Sequence, residues 1–168
     1  MKVELYNLGG IVLQNIMNCK TNYKVIAVGN TLMKDDAVAI RIVESIKKEL
    51  EESYMEVIIG ETDFQYCISM IKEGDFIIII DAAFSEKEPG EISVMSIEEC
   101  HYPGNMYTQH AWSLIALIKL YFKRINGCII GIEAGEVDYG LDLSDELSKK
   151  IEVISQRVLG LLKTAERC

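Results

Sequence analysis

The chain has 168 residues, of which 49% are hydrophobic and 26% charged, a composition typical of one globular domain with a sizeable core. The formal net charge of −9 argues against nucleic acid as a partner, because an acidic chain gains nothing from phosphate contacts. There is no apolar run of about 18 residues and no signal-peptide pattern, so no membrane association is expected. Five cysteines without a C-x-x-C pair favour a reducing, cytoplasmic location.

The first strand–helix unit is predicted in residues 24–52. Residues 24–28 (KVIAV) form a short β-branched run, which predicts a buried strand ending at Gly29. Asp35 or Asp36 then starts a helix that runs to about residue 52. Residues 1–22 show little periodicity, so we expect an N-terminal extension that the domain of residues 23–168 does not need for folding.

Four further strands and three further helices are predicted after this unit. The strands are 55–59, 76–80, 91–97 and 128–132, and the helices are 64–71, 110–124 and one capped by Ser144. Residues 76–80 (FIIII) are apolar throughout, so their strand should be central and covered on both faces. This alternation predicts a single three-layer α/β domain, with a mostly parallel five-stranded sheet and helices on both faces.

Three candidate site residues follow from the preference of ligands for the carboxyl ends of strands in open α/β sheets. Asp36, with its neighbour Asp35, lies beyond the first strand, Asp81 directly follows the central strand, and His110 starts a helix after a long loop. Each also has a structural interpretation, because these residue types commonly cap helices or terminate strands. The residues are far apart in sequence, so spacing alone leaves both interpretations open.

Other motifs give weaker signals. The glycine that follows the first strand lacks the rest of a phosphate-binding loop, which disfavours a nucleotide-binding domain. Cys100 and His101 are adjacent and could bind a metal, although an ordinary surface loop is the simpler interpretation. Glu133 and Glu136 are expected to be solvated in the last loop.

Residues 25–40 (VIAVGNTLMKDDAVAI) resemble the opening signature of hydrogenase maturation endopeptidases, in which a strand and G-N-x-L-x-x-D precede a metal-contacting acid. That acid corresponds to Asp36. The family's second acid ends an apolar strand, as Asp81 does, and its histidine starts a helix in a T/S-x-H context, as His110 does. The last strand and loop, residues 129–147, are also similar, and the resemblance covers about residues 24–162.

The resemblance implies an endopeptidase that removes a C-terminal extension from the nickel-loaded large subunit of a nickel–iron hydrogenase. It implies that Asp36, Asp81 and His110 are both the metal-contacting and the catalytic residues. Nickel would be carried by the precursor, and zinc or cadmium could replace it in a crystal. Two carboxylates and one imidazole suit nickel or zinc and leave coordination positions open. We expect alanine at each position to abolish processing and to leave the fold intact.

The sequence departs from the family pattern at several positions. Ala37 and Ala39 stand where glycines usually follow the first acid, and Ala134 stands where a proline follows the last strand. Phe64 replaces a glycine of the G-T-x-G segment, which is thought to help recognise the substrate subunit. These departures favour an alternative function, a protein of the same fold that binds or chaperones the metal subunit without cutting it.

Overall fold

The computed structural model describes residues 22–98 and 108–166, together with the strand residues 7–8 and 11–12. The elements in chain order are β1 (Asn7–Leu8), β2 (Ile11–Val12), β3 (Tyr23–Val28), α1 (Val38–Glu52), β4 (Glu56–Glu61), α2 (Phe64–Met70), β5 (Phe76–Ala83), β6 (Ile92–Ser96), α3 (Gln109–Tyr121), β7 (Asn126–Glu133) and α4 (Asp145–Glu166). A single 3₁₀ turn, Lys34–Ala37, precedes α1.

Five strands form one sheet in the order β4-β3-β5-β7-β6, parallel except for β6, which runs antiparallel to β7 at one edge. Helices α1 and α4 cover one face of this sheet, and α2 and α3 cover the other. The predicted three-layer α/β architecture with a mostly parallel five-stranded sheet is therefore confirmed. No helix among the described residues is long and apolar enough to cross a membrane.

Strand β5 is the central element of the core. Ile78 and Ile80 pack in the cluster beneath α1 and α4, whereas Ile77 and Ile79 pack in the cluster beneath α2 and α3. All four side chains are fully buried, as expected for a strand covered on both faces. Truncation of one of them, as in Ile79→Ala, should therefore cost about 2–5 kcal/mol through lost packing.

The start of α1 differs from the prediction. The helix begins at Val38, after the 3₁₀ turn, and neither aspartate of that turn caps it through its side chain. Ala37 and Ala39, which replace family glycines, are fully buried at this junction, and alanine favours helix more than glycine does. At the other end of the chain, the N–H of Leu147 donates to Ser144 Oγ at 3.3 Å, so the predicted cap of α4 is confirmed.

The N-terminal extension lies largely outside the described residues. Its two described strands, β1 and β2, form an antiparallel pair, and β2 lies beside the edge strand β6. The carbonyl of Asn22 accepts the N–H of Phe76 at 3.0 Å, so residue 22 already belongs to the sheet.

A shortened chain that begins at Asn22 should melt within about 4 °C of the full chain, a shift of roughly 1 kcal/mol. The reason is that this boundary keeps every described backbone bond between β3 and β5. Thermal unfolding followed by circular dichroism measures the difference. A loss of ten degrees or more (about 3 kcal/mol) would mean that the extension stabilises the sheet edge at β6.

Candidate active site

The three predicted site residues lie near the same edge of the sheet. Asp36 belongs to the turn after β3, Asp81 lies in β5 two residues before its end, and His110 is the second residue of α3. The carboxyl ends of adjacent parallel strands meet at one edge, which is why residues so distant in sequence come together.

Asp36 and His110 form a direct hydrogen-bonded pair. His110 Nε2 lies 2.9 Å from Asp36 Oδ2, and the backbone N–H of Asn30 donates to the same oxygen at 2.9 Å. The pair is mostly shielded from solvent. The hydrogen bond that His110 donates to Asp36 raises the pKa of His110, although burial of the ring acts in the opposite direction. The pair thus combines a carboxylate with an imidazole whose proton it stabilises.

Asp81 lies beside this pair and is fully buried, whereas a residue at the mouth of the sheet would be partly exposed. Its Oδ2 accepts the N–H of Ala111 at 2.8 Å, and its Oδ1 accepts the N–H of Ala82 at 2.9 Å. Burial raises its pKa to about 7, while the N–H of Ala111 and the charge of His110 act to lower it. Because Ala111 follows His110 directly, Asp81 fixes the start of α3 that carries the histidine.

Asp35 has a different role from its neighbour. Its fully buried carboxylate accepts three backbone N–H groups of the loop after β7, from Ser144 at 2.7 Å, Glu136 at 2.8 Å and Gly135 at 3.0 Å. The resemblance assigned the site acid to Asp36 and gave no role to Asp35 beyond a possible helix start. The structure separates them, because Asp36 contacts the histidine and Asp35 holds the loop.

Gly29 allows the turn that carries both aspartates to approach the end of β3. Its φ of +142° is rarely adopted by residues with side chains, and an added Cβ would lie 2.1 Å from the backbone oxygen of Asp36. Any other residue here would have to displace the 3₁₀ turn.

Phe64 packs near the histidine. The ring centroids of Phe64 and His110 are 6.3 Å apart and the rings are tilted by 49°. Position 64, where the family pattern has glycine, therefore forms an aromatic wall of the site. The departure from the family pattern at position 64 is visible in the sequence, but the contact of its ring with His110 is not.

Glu133 corrects another expectation from the sequence. It was expected to be solvated, but it ends β7 and is almost fully buried. Its Oε1 accepts the N–H groups of Ser85 at 2.6 Å and Lys87 at 3.2 Å, which fixes the turn after β5. In the sequence, Glu133 follows an apolar run, as Asp81 does, so the pattern that made Asp81 a candidate residue is also present at position 133. Glu136, by contrast, is exposed and forms an ion pair with Lys34.

Within residues 22–98 and 108–166, no three His, Cys, Asp or Glu side chains are already arranged to hold a metal ion. Metal contact by Asp36, Asp81 and His110 therefore stays a prediction. Burial raises the thiol pKa of Cys67 to about 11 and that of Cys128 to about 12, so neither is a ready nucleophile at neutral pH. Cys100 and His101 lie outside the described residues.

Comparisons with known proteins agree on one family. The family model for hydrogenase maturation protease (HycI) matches residues 40–161, a range that includes Asp81 and His110 and begins four residues after Asp36. A putative hydrogenase maturation protease of Methanocaldococcus jannaschii is 26% identical over 151 residues, which cover 86% of this chain and 98% of that protein.

Solved structures of the same kind share the fold. HybD, a nickel–iron hydrogenase maturation protease from Thermococcus kodakarensis, superposes with a TM-score of 0.68 and 29% identity, covering 84% of this chain and 99% of that one. The hydrogenase maturating endopeptidase HybD of Escherichia coli gives a TM-score of 0.67 at 23% identity, covering 86% and 94%, and this likeness concerns the fold alone.

Substitutions of Asp81 should separate its anchoring role from its charge. Asp81→Ala should lower the free energy of unfolding by about 1–3 kcal/mol, because the buried N–H of Ala111 loses its acceptor. Full burial of Asp81 contradicts the premise that it lies at the mouth of the sheet, so this prediction replaces the expectation that alanine here leaves the fold undisturbed. Asp81→Asn keeps one acceptor oxygen for the N–H of Ala111 but places its amide NH2 against the N–H of Ala82, so it should cost less stability than the alanine variant without reaching the parent protein. Urea unfolding at neutral pH measures both, and equal stability of the two variants would contradict the anchoring role.

Proposed function

The chain belongs to the hydrogenase maturation protease family, and from this premise we propose that it removes a C-terminal extension from the nickel-loaded large-subunit precursor of a nickel–iron hydrogenase. The predicted family and enzyme class are confirmed by the family match. The identity of the substrate, the involvement of nickel and the roles of individual residues belong to the proposal.

The observation that carries the proposal is the 2.9 Å contact between Asp36 and His110, beside buried Asp81, at the carboxyl ends of parallel strands. One imidazole and two carboxylates are the N and O ligands that nickel and zinc accept. Each oxygen of Asp81 accepts one N–H, and a carboxylate has about four acceptor sites, so both oxygens keep capacity for a further contact. The residues present therefore fit a metal brought in by the substrate.

In the proposed reaction, nickel is cargo of the precursor rather than a resident cofactor of this chain. Held near the scissile peptide, it can polarise a carbonyl or lower the pKa of a bound water. Asp36 and His110 would hold the nickel from the enzyme side, and His110 would bind it through Nε2 after passing the proton that it shares with Asp36 to solvent. Asp81 keeps the start of α3 in place and offers the third contact. The ring of Phe64 lies beside the imidazole.

We propose the cytoplasm as the compartment in which this processing takes place. Cys67 and Cys128 are buried free thiols, as suits a protein kept under reducing conditions. The precursor is the proposed macromolecular partner, and the acidic charge of the chain gives no support for nucleic acid.

A second candidate function is favoured by one observation, the ring of Phe64 beside His110. A bulky side chain where the family pattern has glycine would suit a protein that binds the metal subunit without cutting it. The two functions differ in the mass of the precursor after incubation, which is lower only if the chain is a peptidase.

Purified protein should cleave nickel-loaded precursor and leave nickel-free precursor intact, because the open set of Asp36, Asp81 and His110 binds metal well only when other ligands complete its shell. Intact-mass spectrometry after timed incubation gives both rates. His110→Gln, which keeps a polar side chain of similar size, should lower the rate by about 100-fold or more, a typical size for a group acting at the reacting centre. Equal cleavage of both precursors would contradict nickel recognition.

Phe64→Gly tests whether the ring of Phe64 makes the chain a protein that binds the precursor without cleaving it. If the chain is a peptidase, the parent protein cleaves the precursor. The glycine variant still has His110, so its cleavage rate should differ from that of the parent protein by less than about tenfold. Tyr66→Gly, an exposed aromatic on the same helix, is the matched control for lost helix stability. Binding without cleavage by the parent protein, with cleavage gained only in Phe64→Gly, would support the second candidate instead.

A further inference from the structure

Large exposed apolar side chains are concentrated on two loops beside the site. Among the described residues, four of the nine such side chains belong to these loops: Leu32 (57% exposed), Val137 (43%), Tyr139 (83%) and Leu141 (64%). Residues 32–34 and 136–141 are together called the paired-loop platform below. A cluster of this kind on a soluble surface commonly marks an interaction site.

The platform is held rigid by backbone hydrogen bonds between its loops. The N–H of Lys34 donates to the carbonyl of Gly140 at 3.0 Å, and the N–H of Gly140 donates to the carbonyl of Leu32 at 3.0 Å. Asp35 strengthens this pairing, because its N–H donates to the carbonyl of Glu136 at 3.2 Å and its carboxylate binds the same loop. The apolar side chains are thus displayed on a preorganised backbone, which lowers the entropic cost of binding.

The platform is continuous with the Asp36–His110 pair. The N–H of Asp36 donates to the carbonyl of Met33 at 3.1 Å, within the platform. Asn30 connects the two regions, since its N–H donates to Asp36 Oδ2 and its side-chain oxygen accepts the N–H of Leu32 at 3.0 Å. A polypeptide lying on the platform would therefore run directly past the site pair.

The charge of the platform indicates the chemistry of its partner. The platform carries Lys34 and two acids, Glu136 and Asp138, and a third acid, Asp142, follows it directly in the chain. Lys34 pairs with Glu136, and Arg41, which donates to the carbonyl of Leu141 at 3.2 Å, pairs with Glu44, whereas Asp138 and Asp142 form no ion pair among the described residues. Apolar side chains beside unpaired carboxylates fit a segment that is apolar and carries positive charge.

We propose that the paired-loop platform docks the precursor polypeptide next to its scissile bond, and that the docked segment is apolar and basic. This inference rests on the proposed function, because the occupant is the substrate of that reaction. The platform supplies binding energy outside the reacting centre, so its removal should raise KM and leave kcat nearly unchanged.

The first test replaces the apolar side chains together, as Leu32→Ser, Tyr139→Ser and Leu141→Ser in one protein. KM for nickel-loaded precursor should rise about tenfold or more, as for loss of central interface side chains, with kcat within about twofold. The matched control combines Tyr54→Ser, Leu120→Ser and Val153→Ser, which remove exposed apolar side chains elsewhere on the surface. The control should keep the KM of the parent protein.

A second test addresses charge. Asp142→Lys should raise KM several-fold at low salt and weaken the salt dependence of KM, because an attractive charge becomes repulsive. Glu152→Lys makes the same change on the exposed part of α4, away from the platform, and should leave KM unchanged. Equal effects of the two variants would show a response to net charge only, and would overturn the basic character of the segment.

The outcomes separate this inference from the proposed function. Cleavage by the parent protein with an unchanged KM in the triple serine variant would overturn the docking surface and leave the proposed function standing. Binding without cleavage, with a Kd that weakens in the same variant, would overturn the proposed function and support the docking surface. Loss of self-association in that variant, seen by sedimentation equilibrium with KM unchanged, would assign the platform to a second copy of this chain and overturn the proposal.

Discussion

The site depends on two adjacent buried carboxylates that serve different partners. Asp35 accepts three backbone N–H groups from the loop after β7, and Asp36 accepts the imidazole N–H of His110. Burying a carboxylate is costly unless it is fully hydrogen-bonded. The loop after β7 supplies those hydrogen bonds to Asp35 and is itself held in place by them. Since the two residues share one short turn, fixing Asp35 also fixes the position from which Asp36 reaches the histidine.

The other half of the site is held by the same kind of contact. Asp81 binds the N–H of Ala111, so a strand carboxylate determines where α3 begins and where His110 lies. The side chains of Asp36 and His110 are thereby held in place by neighbouring groups, an arrangement typical of preorganised reactive sites. Such rigidity would serve the proposed reaction, in which Asp36 and His110 would have to meet an ion placed by another protein.

Much of the fold could be predicted from hydrophobic periodicity. The apolar run 76–80 became the central strand β5, and all five strands appeared in the predicted order. The resemblance assigned Asp36 to the site, but the role of Asp35 could not be predicted, because it depends on backbone N–H groups about a hundred residues away along the chain. The burial of Glu133 and the contact of Phe64 with His110 also arise from tertiary packing, which residue spacing does not encode.

X-ray absorption at the nickel edge tests the central claim most directly. Nickel-loaded precursor is measured alone and in a complex with this protein frozen before cleavage. If Asp36 and His110 contact the metal, nickel gains N or O neighbours at about 2.0–2.2 Å in the complex, and the gain is reduced when the protein carries His110→Gln. Identical nickel coordination in the free precursor and in the complex would contradict the claim that Asp36 and His110 act by contacting the metal.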